Sequence, residues 1–106
     1  MNNLFREIPS SFPKEIVETL CQSKNVRVER IVSQGHSTPG KDWYDQPENE
    51  WVAVLQGHAR LEYEDGTVME MRPGDFVHLP AHCKHRVDWT TREEPTIWLA
   101  IFYPVD

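Results

Sequence analysis

The chain has 106 residues, 39% of them hydrophobic and 26% charged, which is the composition of one globular domain and not of a disordered chain. Eleven Lys and Arg against 17 Asp and Glu give a net charge of −6 with no basic run, which argues against nucleic acid and an anionic membrane surface as partners. No stretch approaches the roughly 18 apolar residues of a spanning helix.

The opening Met1–Pro9 carries no apolar run of the signal-peptide kind, so the cytoplasm is the expected compartment. Cys21 and Cys83 fit no CxxC spacing and are expected as reduced thiols there. Ser10, Ser11 and Pro13 form a helix-start signal, and Ile16, Val17 and Leu20 follow as an apolar stripe. The spacing predicts a short helix over 13–22, inside an N-terminal segment (1–25) that precedes a β domain (26–106).

From there on the chain reads as β. Val26–Ser33 is rich in β-branched residues, and 34–49, with Gly35, Pro39, Gly40 and Pro47, reads as a long loop or irregular strand. Trp51–Leu55 is a nearly continuous apolar strand, turned at Gln56-Gly57-His58. Residues 59–64 alternate strictly, with Ala59, Leu61 and Tyr63 toward a core and Arg60, Glu62 and Glu64 toward water. A hairpin turn at Glu64-Asp65-Gly66-Thr67 leads to short strands at 67–71, 76–79 and 86–89, and a closing apolar strand at 96–103. Seven short strands with no βαβ spacing predict an all-β sandwich or small barrel. Trp51, Tyr63, Phe76, Trp98 and Phe102 are expected in its core, some of them lining a pocket.

Two segments carry more than fold. One is Glu50, six residues, then Gly57 at a turn; the other is Gly74, five residues, Pro80, then His85 five further on. In this order, on an all-β background, they resemble the two motifs of the cupin superfamily, over roughly residues 26–103. The resemblance implies a double-stranded β-helix, a jelly-roll-like cupin barrel, often a homodimer, with its site inside one end.

In cupins that bind a metal, the first motif supplies two His and a Glu and the second supplies one His. Three imidazoles and a carboxylate suit divalent Fe, Mn, Ni, Zn or Cu. Here Glu50 and His85 match, whereas the first two His fall on Tyr44 and Gln46 in one register, or on Trp43 and Asp45 in the other. Two alternatives follow. In one, Gln46, Glu50 and His85 hold a metal with open positions, and His36, Asp45 or His82 replaces a missing ligand. In the other, Tyr44, Gln46, Glu50 and His85 orient a small molecule by hydrogen bonds with no metal. The first implies an oxygenase, isomerase or decarboxylase type of enzyme, the second a binding or sensing module.

The other candidates have plainer readings. His58 is expected exposed in its turn, and His78 faces inward or outward according to the parity of its strand. Cys83 has no third group that would make it a nucleophile. The last strand is apolar at both parities, so both its faces need cover, from the N-terminal segment or a second copy.

Overall fold

A computed structural model describes residues 2–40 and 42–106; Met1 and Lys41, the latter within the loop expected over 34–49, lie outside them. Eight strands follow in chain order: β1 (Ile16–Gln22), β2 (Arg27–Ser33), β3 (Asn49–Gln56), β4 (Ala59–Tyr63), β5 (Val68–Met71), β6 (Phe76–Leu79), β7 (His85–Thr90) and β8 (Thr96–Tyr103). They form a five-stranded sheet, β1-β2-β8-β3-β6, and a three-stranded sheet, β5-β4-β7, with every pair antiparallel. No helix of the described residues is long and apolar enough to cross a membrane.

The alternation read from the sequence places the core. Val52 and Val54 of β3, Leu61 of β4, Leu79 of β6 and Trp98 and Phe102 of β8 meet between the sheets. Ala59 and Leu61 are buried and Tyr63 packs against them, as expected. The turn after β3 depends on Gly57, whose φ of +95° is open to glycine alone. A Cβ there would stand 2.6 Å from the Thr96 Cα.

The helix expected over 13–22 is not formed. Residues 16–22 are instead β1, paired with β2 from Ile16↔Val32 to Gln22↔Arg27. A helix this short needs an apolar surface to lie on, and its stripe has none, since Val17 and Leu20 are 55% and 45% exposed. The free backbone edge of β2 offers hydrogen bonds instead, and Ile16, Val17 and Thr19 are β-branched residues suited to a strand.

Two of the aromatics expected inside are outside. Phe76 is 63% exposed and Trp51 half-buried, their rings 5.5 Å apart on the outer face of the five-stranded sheet. The β6 alternation, with Val77 and Leu79 buried and Phe76 and His78 exposed, also settles His78: it points outward, against Tyr103. At the other end of this outer face the N-terminal segment gives cover. Arg30, only 5% exposed, bonds Glu18 and donates to the carbonyls of Leu4 (3.1 Å) and Arg6 (2.6 Å). Val32 and Ile97 are fully buried at that end.

The described part of the irregular stretch before β3 is bonded to β7 and to the residue that follows it. Gly35 N–H donates to Thr91 O (2.9 Å), Thr38 N–H to Val87 O (2.9 Å), and Tyr44 and His85 exchange two backbone bonds (2.7 and 3.2 Å). That exchange fixes Tyr44 beside His85 at one end of the barrel.

Candidate functional site

At that end a cavity of about 260 Å³ opens between the sheets. Its deep wall is apolar, formed by Val52, Leu61, Leu79 and Val87. Its polar groups come from three directions: Tyr44 and Gln46 from the irregular stretch, Glu50 from the start of β3, and His85 from the start of β7. Both motifs thus end in this cavity. Asn49 helps to hold the two motif segments together, because its side-chain oxygen accepts from the Ala81 N–H at 2.9 Å.

Glu50 and His85 are buried, at 7% and 5% exposure. Gln46 Nε2 donates to Glu50 Oε1 at 3.0 Å. His85 Nδ1 lies 2.8 Å from the Cys83 carbonyl oxygen, which can only accept, so Nδ1 carries a proton and, in the neutral ring, Nε2 is the acceptor. Nε2 is 3.9 Å from Glu50 Oε1, too far for a direct hydrogen bond and well suited to one bridging atom. Burial raises the Glu50 carboxyl above its ordinary range; the Gln46 amide and the His85 imidazole oppose the shift without cancelling it. Tyr44, 43% exposed at the rim, has its phenol raised first by burial and then by the nearby Glu15.

The alternative ligands are not brought here. Asp45 and His82 pair with each other on the surface, 2.7 Å apart, with His82 at a φ of +63°. His36 stacks on Phe12, its Nδ1 accepting from the Gln34 N–H (2.8 Å) and its Nε2 donating to the Phe12 carbonyl (3.2 Å). Trp43 lies outside, beneath the Arg86 guanidinium. His58 bonds Glu70, away from the cavity.

Among the described residues, no group of three His, Cys, Asp or Glu side chains is arranged to hold an ion. The chemistry of the cavity donors agrees. Besides one carboxylate and one imidazole there is an amide that turns its N–H, not its oxygen, toward the carboxylate. These residues do not fit a resident divalent metal.

Several lining residues lie outside both motif segments, among them Glu15, Arg27, Glu29 and Trp98. Arg27, Glu29 and Ile31 share the inward face of β2, opposite Phe102, Ala100 and Trp98. The sequence hides this, because two of the three β-branched residues of β2, Val28 and Val32, take the outward parity.

Similar proteins agree with this architecture. A crystal structure of a candidate mannose-6-phosphate isomerase from Ralstonia eutropha JMP134 is 45% identical, covers 99% of this chain and 98% of its own, and superposes with a TM-score of 0.95. A cupin superfamily protein from Desulfitobacterium hafniense DCB-2 (19% identical, 92% and 84% covered, TM-score 0.75) shares the fold. So does an RmlC-like cupin family protein of double-stranded β-helix fold from Methanocaldococcus jannaschii (18%, 92% and 87%, TM-score 0.71). The RCS-specific HTH-type transcriptional activator RclR of Escherichia coli K12 is 38% identical over 47 residues, which are 44% of this chain and 16% of that protein. The family model for the cupin domain matches residues 29–102, the two motifs and the barrel that carries them, and the chain belongs to the cupin family.

Proposed function

We propose that this cupin binds a small organic molecule in its barrel through hydrogen bonds and without a resident metal. Gln46, Glu50 and His85 hold the polar part of the ligand, and Val52, Leu61, Leu79 and Val87 pack on its apolar part. The observation that carries this reading is the 3.9 Å gap between Glu50 Oε1 and His85 Nε2, two buried groups separated by the width of one bridging atom. A protonated Glu50 donates into that gap and His85 Nε2 accepts from it, so a hydroxyl placed there satisfies both. Calorimetric titration with small sugars and hydroxy acids tests the proposal. At least one should bind, and Glu50→Ala and Gln46→Ala should each weaken it by about tenfold or more. Binding that ignores both substitutions would place the ligand elsewhere.

A second reading is favoured by the same pair. A carboxyl of raised pKa beside an imidazole in the same cavity is equipped for proton transfer. The Ralstonia eutropha relative is described as a candidate isomerase, and isomerisation of a hydroxy-carbonyl compound is a proton transfer between neighbouring carbons. Ionised Glu50 would take the carbon-bound proton and return it to the neighbouring carbon, while His85 Nε2 takes the hydroxyl proton and returns it to the former carbonyl oxygen. Deuterium from D₂O entering the carbon skeleton of mannose, and not entering with Glu50→Gln, supports that reading; no incorporation leaves a binding module.

A further inference from the structure

The charge of the cavity says which ligand it suits, and this inference rests on the binding site proposed above. Among the described lining residues, three are carboxylic acids, Glu15, Glu29 and Glu50, and one, Arg27, is a permanent cation. Two carboxylates already offset the charge of Arg27. Its Nε donates to Glu29 at 2.7 Å and its Nη2 to Glu48 at 2.8 Å, and the guanidinium lies 4.3 Å from the centroid of the Phe102 ring. Glu15 accepts from the Ser33 hydroxyl at 2.5 Å and stays at the rim.

An anion entering this cavity meets carboxylates inside an enclosure where like charges repel more strongly than in water. The same field acts on the resident groups. After burial, which is the larger cause, Glu29 and Glu48 push the Glu50 carboxyl up, and Glu15 and Glu50 push the Tyr44 phenol up. A cation meets the opposite situation: carboxylates to pair with, and the aromatic side chains of Tyr44, Trp98 and Phe102 along the walls.

Trp98 supplies an independent observation. It is 3% exposed, lies on the inward face of β8 and lines the cavity, and its indole Nε1–H is buried with no hydrogen-bond partner among the described residues. A buried N–H ordinarily has an acceptor. No described protein group supplies one, and an acceptor in the cavity reaches it only if the wall gives way around the indole.

We propose that the cavity takes a small organic cation, a protonated amine on an apolar stem that also carries a hydroxyl oxygen, and disfavours anions such as sugar phosphates. Three probes share a four-carbon stem and a hydroxyl: 4-amino-1-butanol, 1,4-butanediol and 4-hydroxybutyrate. Calorimetry at neutral pH on the whole chain should find the amine about tenfold tighter than the diol, with the acid weakest. Glu29→Gln should remove the advantage of the amine, leave the diol unchanged and strengthen the acid, because it leaves Arg27 paired with Glu48 alone. Glu15→Gln carries the same expectation for the amine where Glu29→Gln fails to fold. Equal or tighter binding of the diol or the acid overturns the inference and leaves the pocket standing. Silence from all three probes overturns it as well, and the pocket falls with it only if the sugar and hydroxy-acid titrations are also silent.

Discussion

Glu50→Gln tests the central group of the cavity, because it removes one charge and almost no volume. Glu50 is 7% exposed, its Oε1 accepts one hydrogen bond from Gln46, and the nearest imidazole nitrogen is 3.9 Å away. Ionised in this setting, the carboxylate forgoes hydration worth several kcal/mol, and a hydrogen bond to a charged acceptor returns only about 1.5–3 kcal/mol. The shortfall is what raises its pKa. The amide keeps the Gln46 bond at its oxygen, turns its new N–H group to the cavity and never ionises. At pH 8 the variant should therefore be more stable by about 1 kcal/mol, or about 4–8 °C in Tm for a domain of this size. The sign with pH follows from linkage. Because the folded-state pKa is raised, the folded state holds a proton that the unfolded state has already lost. The stability this brings is complete below the ordinary carboxylate range and is lost as pH rises toward the raised value. Wild type and variant should thus coincide near pH 4 and separate as pH rises. Asp65 and Glu70, whose pKa values are lowered, act in the opposite direction but equally in both proteins. Urea unfolding of both across pH 4–8, with ligand titration alongside, measures the effect. A variant less stable than wild type at pH 8, or a difference independent of pH, refutes the reasoning, since it would mean that the ionised carboxylate holds the fold.

Gly57→Ala should destabilise by about 3 kcal/mol in urea unfolding, because a side chain at φ +95° is strained and its Cβ would meet the Thr96 backbone at 2.6 Å. His82→Gly should relieve a positive φ of 63° at the cost of the Asp45 pair. A net gain within about 1 kcal/mol is expected, with ligand affinity unchanged; an affinity loss would return His82 to the site. We also propose that a second copy covers the outer aromatic patch, where Phe76 is 63% exposed beside Trp51 on the edge strand β6. Light scattering should then give twice the 12.4 kDa chain mass, and Phe76→Asp a single chain with its cavity intact; a monomeric wild type refutes this.

Period-two alternation made most strands legible, because one face of each is buried and the sheet enforces the register. Ala59, Leu61 and Tyr63 show this on β4. The failures have one cause. At β1 and on the outer face of β3 and β6, the sequence is apolar without being buried in the barrel. Ile16, Val17 and Leu20 therefore read as a helical stripe, and Trp51 and Phe76 as core. What decides those residues is the neighbouring strand edge or sheet face, which no local window contains. The site divided in the same way. Glu50 and His85 were legible because motif spacing fixes where strands begin. Arg27 and Glu29 were not, since they occupy the inward positions of a strand whose outward Val28 and Val32 look like the core.

The two positions where the family's first motif would place imidazoles, Tyr44 and Gln46 in one of its registers, make the site intelligible as a single change. An ion in the barrel would neutralise Glu50 electrostatically; without one, the buried carboxyl must take a hydrogen-bond donor or keep its proton. Gln46 provides the donor at 3.0 Å, and the raised pKa supplies the proton over part of the pH range. An imidazole at 46 could charge and form an ion pair with Glu50, fixing both groups in place. The neutral amide leaves Glu50 free to donate or to accept as the ligand requires. The departure from the metal-ligand pattern and the retention of Glu50 and His85 therefore belong together, since a barrel that needed neither metal nor polar ligand could fill these four positions with apolar residues and be more stable for it.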